Sequence, residues 1–201
     1  MASPRLRRVL TEFPEVHLVH RCFALAPTPE AIAVIFGSKE RGKAEILEHW
    51  RLANRYDDVP RFRPDLMAAR PFDYPYSMPG LRACKAAESI GGQQAHWDLF
   101  DRIQYAHLVE CRNIADDAVL ADCAAAVGLD VSLWEKAYRS GEVLAAVQAD
   151  LERARRLGVA AVPTLVADGT SALSGARTEE QYRAWLRAVI EQRARAGRDE
   201  R

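Results

Sequence analysis

Hydrophobic residues recur at intervals of three and four positions over most of the chain, a spacing that predicts a mainly helical protein. The opening segment has this spacing at Leu6, Val9, Leu10 and Phe13. Ser3 is its predicted N-cap, because the proline that follows suits the first helical position. Six further helical stretches are predicted in the middle of the chain, at 42–56, 75–92, 93–108, 115–128, 132–140 and 140–158.

Two regions interrupt the helical pattern and predict strands. Residues Glu15–Leu25 carry apolar side chains on both alternating faces, which predicts a strand buried within a sheet. The segment 163–175 predicts two short strands joined by a tight turn at an Asp-Gly pair. A last helix follows, and Thr178 with Gln181 has the spacing of a capping box at its start.

This order of elements predicts an α/β protein with a block of helices inserted into its sheet domain. The predicted sheet domain comprises residues 1–30 and 155–194, and the helical insertion comprises 31–154. Within the insertion, Ser132 and Glu135 have capping-box spacing and predict a helix start. Residues 195–201 have no apolar anchor and are predicted to be a disordered tail.

The composition of the chain indicates that it has no strong overall electrostatic field. The 28 Lys and Arg residues balance the 28 Asp and Glu residues, so the formal net charge is zero. Nothing therefore recruits nucleic acid or an anionic membrane, and no apolar run approaches the length of a membrane span. The four cysteines contain no C-x-x-C pair, which favours buried, reduced thiols in a cytoplasmic protein. We expect no metal and no cofactor.

Several stretches of the chain resemble a known family. The matching segments are SPRLRRVLTEFPEVHLVHRCFAL, MPGLRACKAAESIGG, ECRNIADDAVLADCAAAVGLD, GVAAVPTLVADG and LSGARTEEQYRAWL, which together span nearly the whole sequence. Their order and spacing are similar to those of the DsbA-like thioredoxin superfamily, in particular its cytosolic FrnE-type branch. The resemblance implies a thioredoxin-like fold with an inserted helical domain. It also implies thiol–disulfide exchange with protein or low-molecular-weight thiol substrates.

The resemblance assigns a role to the proline that interrupts the segment LGVAAVPTLVADG. In this fold a proline, usually in the cis form, starts a sheet strand and faces the redox cysteines. Pro163 matches that position, so Val162, Pro163 and Thr164 are the predicted substrate-binding residues. The backbone of Val162 is expected to pair with an extended substrate. Without the resemblance, Pro163 could equally be a turn or edge-strand proline.

One element of the family pattern is missing from the 201 residues. Relatives carry a strand that ends in a C-P-x-C motif, followed by a helix that corresponds to Ala2–Leu10. The 201 residues do not contain this motif, so no catalytic residue is assigned. A thiolate at a helix N-terminus is the nucleophile of this chemistry, and a second cysteine resolves the mixed disulfide. One interpretation is a truncated chain or a misassigned start, and the other is a non-redox binding module. We favour the first, since an absent central strand leaves an unpaired sheet edge, which would also favour a homodimer.

Other residues suggest different chemistry. Ser3 stands before a proline, as in glutathione-dependent isomerases and kappa-class transferases, but an N-cap role fits its position better. His20 and Cys22 share one face of the predicted strand, which is too few ligands for a closed zinc site.

The remaining cysteines and histidines also have structural explanations. Cys84 lies on an apolar helix stripe, so a buried, inert thiol is expected. Cys111 and Cys123 could form a regulatory disulfide only if the loop between them folds back. His96 and His107 are expected to be packing residues, because the sequence places no acidic partner beside them.

Overall fold

The computed structural model describes residues 2–199, and the chain divides into two compact units. Unit 1 combines residues 1–18 with 153–201, and unit 2 consists of Val19–Glu152. The predicted second boundary, at residue 155, lies close to that of the structure, whereas the predicted first boundary, at residue 30, lies twelve residues after Leu18. The reason is that the segment after Leu18 bonds to helices of unit 2: the backbone N–H of His20 donates to Gln93 over 2.7 Å.

Nine helices and two strands are present within residues 2–199. The helices are α1 (Ala2–Leu10), α2 (Ala31–Phe36), α3 (Lys39–Asn54), α4 (Pro64–Ala68), α5 (Ser77–Leu108), α6 (Asp117–Ala126), α7 (Val131–Tyr138), α8 (Gly141–Arg156) and α9 (Glu179–Asp199). The strands are β1 (Thr164–Ala167) and β2 (Ser171–Ser174). None of the helices in this range is long and apolar enough to cross a membrane.

The predicted hairpin in unit 1 is confirmed. Strands β1 and β2 pair in antiparallel register, with Leu165 opposite Leu173. Asp168 and Gly169 form the turn with φ angles of 51° and 75°, the left-handed conformation that Asp-Gly turns supply at low cost. The hairpin packs on a small core between α1 and α9 that contains Val9, Phe13, Tyr182 and Leu186.

Helix α9 begins as predicted and ends later than predicted. Gln181 accepts from the backbone N–H of Thr178 over 3.0 Å, and the Thr178 hydroxyl accepts from the N–H of Gln181 over 3.2 Å, which completes the capping box. The predicted disordered tail, 195–201, is wrong for residues 195–199, because α9 continues to Asp199. Extending an existing helix fixes one residue per added hydrogen bond, so no apolar anchor is needed. Residues 200 and 201 lie outside the described residues.

The core of unit 2 lies around the long helix α5. Two predicted helical stretches join in α5 across a kink at Gly92, where φ is 70° and ψ is −164°. A side chain at Gly91 would place its Cβ 2.6 Å from that of Ala95, so the glycine pair suits the kink. The first half of α5 packs on α6 and α7, and the Trp134 indole donates to the carbonyl of Ala83 over 3.1 Å.

One predicted helix start in unit 2 is displaced. Helix α7 begins at Val131, and Asp130 rather than Ser132 is its N-cap. The Asp130 carboxylate accepts from the backbone N–H of Leu133 over 3.0 Å. An aspartate caps a helix as well as a serine does, and the earlier start adds hydrogen bonds to the helix.

The predicted strand at Glu15–Leu25 is not a strand in the structure. The segment is extended but has no strand partner in the described part of the chain, where β1 and β2 pair only with each other. A β-ladder requires a neighbouring strand to accept and donate its backbone hydrogen bonds. Burial also alternates, since Val16, Leu18 and Cys22 point inward while Val19 is 48% exposed. The pattern is therefore that of a chain buried on one face only.

Candidate functional site

The predicted substrate-binding residues form a bend at the start of β1, in unit 1. The Val162–Pro163 peptide bond is cis. The Thr164 hydroxyl donates to the carbonyl of Ala161 over 2.8 Å and lies 2.9 Å from the hydroxyl of Ser174. The first contact joins the residues on the two sides of Pro163, and the second joins Thr164 to β2. Together they hold the bend in place against the hairpin.

Val162 is exposed, and its backbone groups are unpaired within the described residues. The residue is 45% exposed, and within residues 2–199 its backbone N–H and C=O have no hydrogen-bond partner. The next backbone group, the carbonyl of Pro163, accepts from the N–H of Gly175 over 2.8 Å. Beyond it, β1 has β2 on one side and no strand on the other in the part of the chain that the structure describes. An extended peptide can add to such an edge through main-chain hydrogen bonds.

Helix α1 reaches this bend through one loop. The Arg5 guanidinium donates to the carbonyl of Arg177 over 3.1 Å, and the Arg177 guanidinium donates to the carbonyl of Ser174 over 2.6 Å. Since Gly175 binds Pro163, the first turns of α1 and the Pro163 bend are anchored to the same loop, 174–177. Ser3 lies in the first turn of α1, half-buried and already engaged with another group.

The four cysteines are free and buried. Burial, together with the negative charge of Asp150, raises the pKa of the Cys22 thiol to about 12. Burial also raises the thiol pKa of Cys84, Cys111 and Cys123. A raised pKa keeps each sulfur protonated near neutral pH, so none has the character of a nucleophile. No disulfide joins Cys111 to Cys123.

A buried ionic cluster in unit 2 was not predicted. The Lys85 ammonium lies 2.9 Å from the Asp150 carboxylate, and both side chains are only 4% exposed. Lys85 also donates to Glu88 over 2.8 Å. Burial alone would lower the pKa of Lys85, but its bonds to Glu88 and Asp150 outweigh burial and raise it. Burial would likewise raise the pKa of Asp150, but hydrogen bonds from Lys85 and the backbone N–H of Cys22 lower it.

His96 belongs to the same cluster, and its acidic partner is Glu88. Its Nδ1 lies 2.7 Å from the Glu88 carboxylate, which can only accept, so Nδ1 carries the hydrogen. Burial and the neighbouring His20 lower the pKa of His96 to about 4. The His20 ring stacks on His96 with 4.9 Å between centroids. These contacts order the segment around His20 and Cys22, and no group of three metal-ligating side chains is found within the described residues.

Comparison with known proteins identifies the family of this chain. The thioredoxin family model matches residues 47–182, which is more than half of the chain. A search of curated proteins found no match. Among solved structures, a proposed protein disulfide isomerase from Nitrosomonas europaea superposes with a TM-score of 0.75 at 22% identity, covering 94% of this chain and 90% of that one. This likeness establishes the fold.

Two further structures extend the comparison. The cytosolic disulfide reductase DsbM from Pseudomonas aeruginosa superposes with a TM-score of 0.71 at 25% identity, covering 95% of this chain and 92% of that one. The same protein with GSH gives 0.70 at 24% identity, covering 94% and 92%. The predicted thioredoxin-like fold with a helical insertion is thereby confirmed, and the chain belongs to the thioredoxin superfamily as a DsbA-like member.

Proposed function

We propose that this chain is a cytoplasmic, FrnE-type member of the DsbA-like thiol–disulfide oxidoreductases and that Val162, Pro163 and Thr164 bind its substrate. The 201 residues contain no C-x-x-C pair. By themselves they therefore bind thiol or disulfide substrates with little redox turnover. The sheet domain is proposed to provide the substrate-binding surface.

The observation that carries this proposal is that, within the described residues, the exposed residue Val162 has unpaired backbone groups and lies next to an unpaired edge of β1. Main-chain groups recognise an extended backbone without regard to its side chains. A site of this kind suits an enzyme that acts on many different thiol substrates. The structure of DsbM, which has a similar fold, was determined with GSH, so a small peptide thiol is one proposed substrate class. A cysteine-containing protein segment is the other.

The cysteines present do not replace the missing pair. Each of the four is buried, and burial raises the thiol pKa of each. A thiolate at a helix N-terminus is what attacks a disulfide in this chemistry, and none of these sulfurs is on α1. The described residues therefore support binding more strongly than turnover.

Two measurements test the proposal. The first is reduction of insulin by dithiothreitol, in which this chain is expected to give a rate close to that of buffer. The second is binding of a fluorescent cysteine-containing peptide, followed by fluorescence anisotropy. Methylating one backbone nitrogen of that peptide removes one main-chain donor, and we expect binding weakened by about fivefold or more.

The matched control is the same methyl group placed on a neighbouring residue whose N–H points away from β1. Equal binding of all three peptides would overturn the proposed main-chain site, and robust insulin reduction would overturn the low turnover. The free edge also favours pairing with a second copy of the chain, so size-exclusion chromatography at the assay concentration accompanies the binding measurement.

The enzyme alternatives differ in the DNA that precedes Met1. An in-frame C-P-x-C supports the oxidoreductase, and an in-frame S-P-x-x supports a glutathione-dependent isomerase. An immediate stop codon, together with peptide binding by the recombinant chain, supports a non-catalytic binding module.

A further inference from the structure

A polar cavity in unit 2 is lined by residues other than the proposed thiol-binding residues. It has a volume of about 290 Å³ and lies between the N-terminus of α5 and the C-terminus of α7. Tyr76, Arg82, Asp117, Tyr138 and Arg139 are among its lining residues. The volume is at the small end of the range for ligand sites, so an occupant would be the size of a small metabolite.

Two arginines line this cavity, and neither guanidinium forms an ion pair with a carboxylate within the described residues. Arg82 donates to the carbonyl of Tyr138 over 2.6 Å and lies over the Tyr138 ring at 4.9 Å. Its Nε is buried and has no hydrogen-bond partner among the described residues. Arg139 is exposed at the end of α7 and makes no side-chain hydrogen bond or ion pair within residues 2–199. A buried guanidinium N–H that lacks an acceptor is unfavourable unless another group supplies one.

The N-terminus of α5 adds to the positive potential of the same cavity. Tyr76 is the N-cap and no side chain caps the helix. The N–H of Ser77 already donates to the carbonyl of Ala26 over 2.7 Å, and Pro79 has no N–H. The helix N-terminus therefore contributes mainly through its dipole, which places partial positive charge there. Pro79, in the first turn, lines the cavity as well.

One acidic residue faces the cavity, and its position limits its effect. The Tyr138 hydroxyl donates to the Asp117 carboxylate over 2.8 Å, which occupies one carboxylate oxygen. With two guanidinium groups against one carboxylate, the lining keeps a net positive charge.

We propose that this cavity binds a small oxyanion, a carboxylate or phosphate group, with Arg139 and Arg82 as its main partners. A planar guanidinium forms charge-assisted, often bidentate hydrogen bonds with either group. Arg82 is held in place by Tyr138, whereas Arg139 is free to close on the ligand. The inference concerns unit 2 alone and does not depend on the proposed thiol site.

Isothermal titration calorimetry with inorganic phosphate and with succinate, at constant ionic strength, tests the proposal and separates the two sources of the anion. We expect saturable binding of at least one probe by the wild-type chain. Arg139→Gln should weaken it about tenfold or more, because it removes a charge-assisted hydrogen bond. Arg139 is exposed, so this variant is expected to fold.

Two further variants sharpen the outcome. Arg55→Gln removes an exposed charge that does not line the cavity and should leave the affinity unchanged. Asp117→Asn removes the one negative charge of the lining and should strengthen anion binding. Absence of saturable binding of either probe by the wild-type chain would overturn the proposal. So would equal affinity of wild type and Arg139→Gln, or weaker binding by Asp117→Asn.

Discussion

The two units place similar ionic networks in very different surroundings. In unit 1, Arg183 bridges Glu12 and Glu179 over 2.7 Å and 3.0 Å, and all three side chains are roughly a third exposed. In unit 2, Lys85 and Asp150 lie 2.9 Å apart with only 4% of each side chain exposed. Separation is almost the same in the two networks, so burial is the variable that distinguishes them.

Burial changes what each network does for the protein. Exposed ion pairs are screened by water and salt and stabilise little. A buried pair has already lost the solvation of both charges, so removing one partner leaves the other uncompensated. The network of unit 2 therefore acts as a constraint: it specifies where the segment at Cys22 meets α5 and α8. The network of unit 1 lies on the surface, and the core between α1 and α9 already stabilises that region without it.

The largest effect is expected from Asp150→Asn. The change keeps the shape of the side chain and removes its charge, which leaves Lys85 with Glu88 as its remaining partner. We expect a loss of about 3 kcal/mol in the free energy of unfolding, at the lower end for breaking a buried pair. Urea denaturation at pH 7, followed by tryptophan fluorescence, measures it.

The control for this prediction is the double variant Lys85→Met with Asp150→Asn. It replaces the ammonium, which has lost one of its two carboxylate partners, with an apolar side chain of similar length and should recover part of the lost stability. A double variant less stable than Asp150→Asn would contradict the assignment of the loss to an excess of buried positive charge.

Acid is expected to weaken the buried network next. An unfolded histidine has a pKa near 6.5, whereas burial and His20 lower the pKa of His96 to about 4. Between these values the unfolded chain binds a proton that the folded chain does not, so the stability is full above about pH 6.5 and falls toward pH 4. His96 is expected to contribute about 3 kcal/mol to this loss. Urea denaturation at pH 7, 6 and 5 measures the slope.

The matched variants are His96→Gln and His49→Gln. The first should reduce the dependence of stability on pH, and the second, at an exposed position on α3, should leave it as in wild type. Burial lowers the pKa of His107 to about 4 as well, so a residual slope of the same sign should remain in His96→Gln. An unchanged slope in that variant would rule out His96 as its source.

Local signals predicted much of unit 1, and the reason is that they act within a few residues. The Asp-Gly turn and the capping box of Thr178 and Gln181 each depend on backbone groups at most four positions apart. The glycine pair at Gly91 is a local signal as well, but it predicted the end of a helix, where the structure has a kink inside α5. The residues that form such features are close together in the sequence, so the features can be predicted from the sequence alone.

Features that depend on distant partners were missed or misjudged. Apolar residues on both faces of Glu15–Leu25 predicted a buried strand, but a strand needs a neighbouring strand, which a local pattern does not reveal. Asp150 follows Val143 and Val147 at spacings of four and three on α8, which is a signal for a buried face. A charged side chain is buried on such a face only with a compensating partner, and Lys85, its partner, lies on another helix. The short helix α2 also gave no signal, since its helical pattern lasts less than two turns.

A smaller effect is expected from Thr178→Ala in unit 1. The variant removes the hydroxyl that accepts from Gln181 at the start of α9. Loss of a cap of this kind costs about 1 kcal/mol of stability. Thr178→Ser keeps the hydroxyl and should stay close to wild type in the same urea titration. Equal losses in both variants would mean that packing of the threonine methyl group, and not the cap, stabilises the helix.

The smallest effect is expected from Glu12→Gln, which breaks the exposed network of unit 1. The hydrogen bond from Arg183 lowers the pKa of Glu12, yet the pair lies in water, where solvent replaces the lost contact. We expect a urea midpoint near that of wild type, and any difference should vanish in 1 M NaCl because salt screens exposed charges. The loss in Asp150→Asn should persist in the same salt, since ions do not reach a buried pair. If Glu12→Gln instead matched Asp150→Asn in size and in resistance to salt, burial would not be what separates the two networks.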